Sequence, residues 1–295
     1  MTTTNHMTGA KLVYLNGEFL APAAAKISVF DRGFIFGDGI YEYVPVFGRR
    51  MFRLPQHLAR LETSLHEVHI PNPLTAAQWR EVFERLIASN DAADQSVYVH
   101  ITRGAAPRDH AFPENAIPTV FVYAQPLKYS TAEQLTQGVA AITTLDIRWS
   151  RCDIKAIALL ANALLRQQAV EAGAVEAILI RDGFMTEGAA CNIFVVSDGR
   201  AITPPKGRYI LPGITRDLAL ELMRAHGVPC EERAVTEAEL RAADEIWLTS
   251  SSREILPITQ LDGKPVGTGK PGPLHAKVFG LYREYKRAFV EGKVE

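Results

Sequence analysis

The stretch that decides the fold lies at residues 146–160, which read DIRWSRCDIKAIALL. Its one lysine, Lys155, precedes an apolar run that predicts a helix, whereas nearly all of the other lysines stand among polar residues. A lysine in this position is either a long side chain that reaches solvent or a desolvated amine able to form a Schiff base. The residues alone leave both interpretations open.

A second segment carries a carboxylate at the junction of a strand and a turn. Residues 186–192 read TEGAACN and place Glu187 at this junction. Taken alone, such a residue is most often a surface carboxylate. Opposite a pyridine nitrogen, however, it would keep that nitrogen protonated and make the ring an acceptor of electrons.

A third segment, LPGITRD at residues 211–217, predicts a helix that begins after a glycine. Free backbone N–H groups at a helix N-terminus bind phosphate, although an ordinary capped helix has the same sequence pattern. Arg60 could complete a phosphate site, or it could simply pair with Glu62 or Glu67 on its own predicted helix.

Composition excludes several classes of protein. The 295 residues include 32 Lys plus Arg and 33 Asp plus Glu, so the formal charge is −1, unlike that of a typical nucleic-acid binder. The three cysteines are widely spaced, which argues against a disulfide framework and a CxxC metal site. No secretory signal and no apolar stretch long enough to span a bilayer are visible. We therefore expect a soluble cytoplasmic protein with no bound metal and no nucleic-acid or membrane partner.

The order of predicted elements indicates an α+β fold, because strands and helices alternate without a strict βαβ rhythm. Asn16-Gly17 predicts a β-hairpin turn. Periodic apolar residues and a Thr75 capping box predict helices at 55–69 and 75–89. Further helices are predicted at 157–173 and 213–227. A polar segment divides the chain into an N-terminal domain at 1–126, a linker at 127–137 and a second domain at 138–295.

Three long segments, in order, resemble the fold-type IV pyridoxal phosphate enzymes. They are DRGFIFGDGIYE at 31–42, TRGAAPRDHAFPEN at 102–115 and DIRWSRCDIK at 146–155. This family includes branched-chain aminotransferases, D-amino acid aminotransferases and aminodeoxychorismate lyases, and the chain looks most similar to the D-amino acid aminotransferases. The resemblance runs from about Tyr14 to Gly263. It implies a small N-terminal α/β domain, a larger β-rich C-terminal domain with helices, and a homodimer with its active site at the subunit interface.

The resemblance also implies a role for each matching residue. Lys155 is the lysine that forms a Schiff base with pyridoxal 5′-phosphate and moves the substrate proton. Glu187 pairs with the pyridine nitrogen, and Arg148 is a partner of the Lys155 and Glu187 region. The phosphate is held by Arg60, the N–H groups of Ile214 and Thr215, and the hydroxyls of Ser250 and Ser251. Leu211 packs against the ring, while Tyr41 and Tyr43 lie in the substrate pocket.

Arg108 and His110 determine which subfamily the resemblance favours. Arg-x-His in this loop resembles the carboxylate-binding pair that D-amino acid aminotransferases supply across their dimer interface. Arginine suits this role because its planar fork meets a carboxylate with two charge-assisted hydrogen bonds. The resemblance implies transamination of D-alanine and D-glutamate with 2-oxo acids such as 2-oxoglutarate or pyruvate. An ordinary solvated polar loop is the alternative.

Three departures from the D-specific pattern keep other functions open. Ala189-Ala190-Cys191 replaces a serine-rich run, Pro212 replaces a lysine, and Tyr43 replaces a smaller aliphatic residue. The alternatives are a branched-chain L-amino acid aminotransferase and an aminodeoxychorismate lyase. A non-enzymatic binding protein with a structural Lys155 is a further alternative from another class.

Overall fold

The structure is a computed structural model that describes residues 9–294. The chain divides into two compact units. In the described part of the chain, the first contains residues 9–128 and Ile154–Leu159, and the second contains Tyr129–Asp153 and Leu160–Val294. The predicted domain bounds differ from this division, because residues 154–159 pack with the first unit. Residues 1–8 and 295, which the predicted domains include, lie outside the described residues.

The described part of the first unit contains one antiparallel sheet, three α-helices and a short 3-10 helix at Pro22–Ala24. The strands follow the order β2-β1-β6-β5-β3-β4. Their bounds are β1 Val13–Leu15, β2 Glu18–Leu20, β3 Gly39–Phe47, β4 Arg50–Met51, β5 Gln95–Thr102 and β6 Thr119–Pro126. The helices are α1 Arg32–Phe36, α2 Leu54–Glu67 and α3 Ala76–Ala88.

Local sequence signals predicted this unit well. Asn16 and Gly17 join β1 to β2 with φ angles of 49° and 97°, and positive φ at both residues is what a type I′ turn requires. The Thr75 side chain accepts a hydrogen bond from Gln78 N at the start of α3, which confirms the capping box. The α+β class is confirmed as well.

The two faces of this sheet differ in chemistry, because successive residues of a strand point to opposite sides. One face packs with α2 and α3 around Leu61, Trp79 and Phe83 in an apolar core. The opposite face carries aromatic and polar side chains of three adjacent strands, namely Tyr41 and Tyr43 of β3, Tyr98 and His100 of β5, and Phe121 and Tyr123 of β6.

The described part of the second unit is built around a ten-stranded mixed sheet. Its strands are β7 Val139–Leu145, β8 Glu176–Arg181, β9 Phe184–Gly188, β10 Asn192–Ser197, β11 Arg200–Thr203, β12 Cys230–Glu232, β13 Val235–Thr236, β14 Glu245–Ser250, β15 Glu254–Leu261 and β16 Lys264–Pro265. Its helices are α4 Ala132–Gln137, α5 Leu160–Glu171, α6 Ile214–Ala225, α7 Glu237–Ala242 and α8 Pro273–Val290. The segment predicted as a linker therefore contains a short helix, α4.

The strand order of the second sheet is β12-β11-β10-β14-β15-β7-β8-β9-β13, with β16 paired to β15. The helix predicted at 157–173 begins only at Leu160. Residues 155–157 instead pair with β3 through backbone hydrogen bonds, so the helix cannot include Ile157. Among residues 9–294, none of the helices has the length and apolar character needed to cross a membrane.

Candidate active site

Lys155 is held in place by backbone hydrogen bonds within the first unit. Its carbonyl accepts a hydrogen bond from Tyr41 N at 2.9 Å, and Ile157 N donates to Gly39 O at 3.1 Å. The Lys155 N–H donates to Ser64 Oγ of α2 at 3.3 Å. The main chain of this residue is thus bonded to both β3 and α2, so the position of its side chain is defined by the sheet.

The Lys155 amine lies over the aromatic face of the first sheet. Its Nζ is 3.9 Å from the centroid of the Tyr41 ring. The Tyr41 ring is 5.8 Å from Tyr98, whose hydroxyl is 3.1 Å from His100 Nδ1. The predicted pair of Lys155 and Tyr41 is therefore adjacent, and Tyr43 points to the same face two residues further along β3. Sequence reasoning missed Tyr98 and His100, although their alternation with buried valines in β5 was a usable signal.

Arg60 has a partner that the sequence did not suggest. It donates from Nη2 and Nε to the two carboxylate oxygens of Glu42, at 2.6 and 2.9 Å. His57 Nδ1 lies 3.0 Å from the same carboxylate. The sequence did not suggest this partner because Glu42 lies on a different element: it projects from β3 toward the helix and is almost completely buried.

The protonation states of Glu42 and His57 follow from their burial and from the charges beside them. Burial alone would raise the pKa of Glu42, but the Arg60 charge and the His57 hydrogen bond outweigh it and hold the pKa well below its usual range. Burial lowers the pKa of His57 despite its bond to Glu42, so the imidazole is neutral at pH 7. In the part of the chain that the structure describes, His57 Nε2 is buried without a hydrogen-bond partner.

Glu187 is the corresponding buried carboxylate of the second unit. Its Oε1 accepts a hydrogen bond from Arg148 Nη1, and its Oε2 accepts from Asn192 Nδ2 at 2.9 Å and from Leu211 N at 3.0 Å. Arg148 is held in turn by Asp146, through Nε at 2.9 Å and Nη2 at 3.0 Å. The predicted residues Glu187, Arg148 and Leu211 are therefore in direct contact.

The pKa of Glu187 lies close to neutral pH. Burial raises the pKa of Glu187 to about 7, and the charge and hydrogen bond of Arg148 oppose this effect only in part. A carboxyl group with this pKa can exchange a proton with a bound basic nitrogen at neutral pH.

Asn192 connects Glu187 to the predicted phosphate-binding elements, and sequence reasoning missed it. Its Nδ2 also donates to the Leu211 carbonyl at 2.9 Å, just before α6. A Cβ on Gly213 would lie 1.9 Å from Asn192 Oδ1, so this approach requires a glycine. In β10, Asn192 is the register partner of Thr249, the residue before Ser250.

The start of α6 has the properties of an anion site. Gly213 precedes the helix and provides no side-chain cap, while Ile214 and Thr215 form the first turn. Uncapped N–H groups at a helix N-terminus attract anions. The predicted hydroxyls stand at the end of β14, where Ser250 Oγ accepts a hydrogen bond from Arg253 N at 3.1 Å. Both elements belong to the second unit.

Arg108 and His110 lie on an exposed loop of the first unit, between β5 and β6. The Arg108 guanidinium is 5.4 Å from the Phe36 ring, and the His110 ring is 5.4 Å from the same ring. The two predicted carboxylate-binding side chains are therefore brought together on one aromatic residue. Among residues 9–294, no group of three or more His, Cys, Asp or Glu side chains could hold a metal ion.

Comparison with known proteins shows which family the chain resembles. The family model for amino-transferase class IV matches residues 39–261. D-alanine aminotransferase of Bacillus licheniformis is 41% identical over 90% of this chain and 94% of its own. D-alanine aminotransferase of Staphylococcus aureus (strain MW2) is 38% identical over 92% of this chain and 97% of its own.

Solved structures give the same result at lower identity. The branched-chain amino acid aminotransferase of Escherichia coli is 25% identical, with a TM-score of 0.86 over 97% of this chain and 96% of its own. A branched-chain amino acid aminotransferase from T.th., solved with pyridoxamine 5′-phosphate, is 25% identical, with a TM-score of 0.88 over 98% and 96% of the two chains. The chain therefore belongs to the class IV aminotransferases.

Proposed function

We propose that this aminotransferase transfers the amino group of D-amino acids, such as D-alanine and D-glutamate, to 2-oxo acids such as 2-oxoglutarate or pyruvate. The single observation that carries the choice of substrate is the 41% identity to a D-alanine aminotransferase over 90% of the chain. Membership of this enzyme family argues against the alternative of a non-enzymatic binding protein. The cofactor is pyridoxal 5′-phosphate.

The residues present fit this cofactor. Pyridoxal phosphate supplies an aldehyde that reacts with amines and a ring that accepts negative charge from Cα. The first unit offers an amine at Lys155, a buried cation at Arg60 and the unpartnered His57 Nε2. The second unit offers the buried Glu187 and the uncapped start of α6. These groups match the aldehyde, the phosphate and the pyridine nitrogen in charge and chemistry.

Each of these residues has a defined task in the proposal. Lys155 Nζ holds the cofactor and, once released by the substrate, moves the proton at Cα. Glu187 holds a proton at the pyridine nitrogen, and Arg148 orients its carboxylate. Arg60, the N–H groups of Ile214 and Thr215, and the Ser250 and Ser251 hydroxyls bind the phosphate.

Substrate orientation depends on the α-carboxylate. Arg108 and His110 bind this carboxylate at one end of the pocket, and Tyr41 lies in the same pocket. The side chain of the substrate then occupies the other end, which Tyr43 narrows. Because Lys155 delivers the proton from one fixed side, the position of the carboxylate selects the D-enantiomer.

We further propose a homodimer in the cytoplasm, with Arg108 and His110 supplied across the interface. Large apolar side chains stand exposed on the first unit, and they include Ile27, Val29, Phe30, Phe34, Phe112 and Ile117. Exposed apolar groups of this size are typical of a surface that a second copy covers. Cys152, Cys191 and Cys230 form no disulfide, which supports a reducing compartment.

A branched-chain L-amino acid aminotransferase is the second candidate, because several similar solved structures are branched-chain enzymes. An amino-donor screen separates the two. Purified protein loaded with pyridoxal phosphate is given each enantiomer of alanine, glutamate and leucine, with 2-oxoglutarate or pyruvate as acceptor. We expect the parent to turn over the D-enantiomers and Lys155→Ala to lose nearly all of this turnover. Preference for L-leucine would replace our proposal with the second candidate.

A further inference from the structure

The loop that carries Arg108 and His110 is attached to a buried arginine through its backbone. Arg32 Nη1 donates to the carbonyls of Asp109, at 2.6 Å, and Ala111, at 3.3 Å. Its Nη2 donates to the carbonyl of His110 at 3.4 Å. Arg32 is 3% exposed although it is charged, so these bonds are shielded from water. Three successive carbonyls of an exposed loop thus converge on one guanidinium.

Arg32 is itself immobilised by a second arginine through a shared carboxylate. Asp38 accepts from Arg32 Nε at 2.7 Å and from Arg103 Nε and Nη2 at 2.8 and 2.9 Å. Arg103 also donates to the carbonyls of Val68 and His69, beyond the end of α2. The chain of contacts therefore runs from α2 through Arg103, Asp38 and Arg32 to the loop.

The side chains of the same loop share one aromatic contact. The guanidinium groups of Arg32 and Arg108 lie 4.8 and 5.4 Å from the centroid of the Phe36 ring, and the His110 ring lies 5.4 Å from it. A cation over an aromatic face is attracted by the ring quadrupole, which restricts its directions. Phe36 ends α1, and Gly37 in the left-handed region turns the chain toward Asp38.

We propose that Arg32 and Phe36 are positioning residues for substrate carboxylate binding, Arg32 through the loop backbone and Phe36 through the Arg108 and His110 side chains. The proposal rests on the proposed function, because it takes Arg108 and His110 as the carboxylate-binding pair. It adds that α1 and the 31–42 segment determine how rigidly that pair is presented. A pre-oriented pair loses less conformational freedom on binding and so binds a carboxylate more tightly.

The test compares Phe36→Leu and Arg32→Lys with the parent holoenzyme. Leucine keeps the apolar bulk of Phe36 without its ring, and lysine keeps the charge of Arg32 without its fork. Phe36→Leu should raise KM for D-alanine and 2-oxoglutarate together by about three- to tenfold, with kcat within about twofold. Both variants should speed backbone hydrogen exchange in residues 106–114. Phe184→Leu, the same exchange at an exposed residue of the second unit, is the matched control and should alter neither quantity.

Two further results decide the interpretation. Adding Phe36→Leu to Arg108→Ala should raise KM no further than Arg108→Ala alone, because the two residues act through one contact. If Arg108→Ala leaves KM unchanged, the proposed carboxylate site is wrong, while the exchange rates still test the positioning role. The inference is overturned if Phe36→Leu leaves loop exchange at the parent rate, or if its effect on KM adds fully to that of Arg108→Ala. Phe36→Leu decides the matter if Arg32→Lys does not fold.

Discussion

Replacing Glu42 with glutamine tests the buried charge pair that holds Arg60. The carboxylate is 1% exposed and accepts two hydrogen bonds from Arg60, one from the His57 ring and one from Tyr43 N at 2.8 Å. An amide has the same shape but carries no charge, and its NH2 group would face the Arg60 donors. Glu42→Gln therefore leaves a guanidinium that is only 8% exposed without its counter-charge.

The cost follows from the burial of both partners. Removing one member of a buried ion pair destabilises a protein by about 3–5 kcal/mol. Two hydrogen bonds to a charged group, at about 1.5–3 kcal/mol each, give a similar figure. We expect Glu42→Gln to lower the free energy of unfolding of the cofactor-free protein by about 3–5 kcal/mol. Glu62→Gln, at an exposed residue of the helix α2 that carries Arg60, should change it by less than about 0.5 kcal/mol.

Urea denaturation of the parent, Glu42→Gln, Arg60→Met and the double variant measures this effect. The double variant should be more stable than the sum of the single losses predicts, because no unpaired charge remains. In the parent, the stabilisation is present above the ordinary pKa of 4.5 and is lost as the pH falls toward the lowered pKa of Glu42. A Glu42→Gln variant within about 1 kcal/mol of the parent, or additive single losses, would refute the reasoning.

Three other predictions concern the site. In the cofactor-free protein, burial raises the pKa of Glu187 to about 7. The protonated group therefore stabilises the folded state fully below its ordinary pKa of 4.5, and this stabilisation is lost as the pH rises through 7. Urea midpoints between pH 5 and 8 should fall less steeply for Glu187→Gln, and parallel curves would contradict this. Arg108→Ala should raise KM for D-alanine and 2-oxoglutarate by about ten- to a hundredfold in steady-state kinetics; a change for one substrate alone would argue against a shared carboxylate site. Lys155→Ala should lose nearly all turnover and leave no pyridoxyl-lysine peptide after borohydride reduction and mass spectrometry, and a reduced adduct at another lysine would show that Lys155 was misassigned.

The sequence predicted the elements whose signals are local. The Asn16-Gly17 turn and the Thr75 cap depend on residues within one turn of each other, so their chemistry is visible in the sequence. β15 lacks such a clear local signal, because Pro257 lies within it and proline usually marks an edge strand. In the structure β15 pairs with β7 only from Ile258 onward. Pro257 therefore lies before the point at which β7 becomes the second neighbouring strand of β15.

Contacts between distant residues could not be read from the sequence. For Arg60 the sequence suggested a phosphate or the nearby Glu62 and Glu67 as partners, but Glu42, on a strand 18 residues earlier, accepts its hydrogen bonds. Asn192 looked like an ordinary strand residue, and its link between Glu187 and the start of α6 depends on the register of β10. Such partners are determined by tertiary packing, whereas Lys155 was identified by its flanking residues and by the family resemblance.

The most direct test of the central claim is a competition between D-alanine and L-leucine in one reaction. Enzyme loaded with pyridoxal phosphate receives equal concentrations of both donors with 2-oxoglutarate, and chiral chromatography follows their initial rates of consumption. We predict that D-alanine is consumed at least about a hundredfold faster and that D-glutamate accumulates. Faster consumption of L-leucine, with L-glutamate as the product, would contradict the assignment.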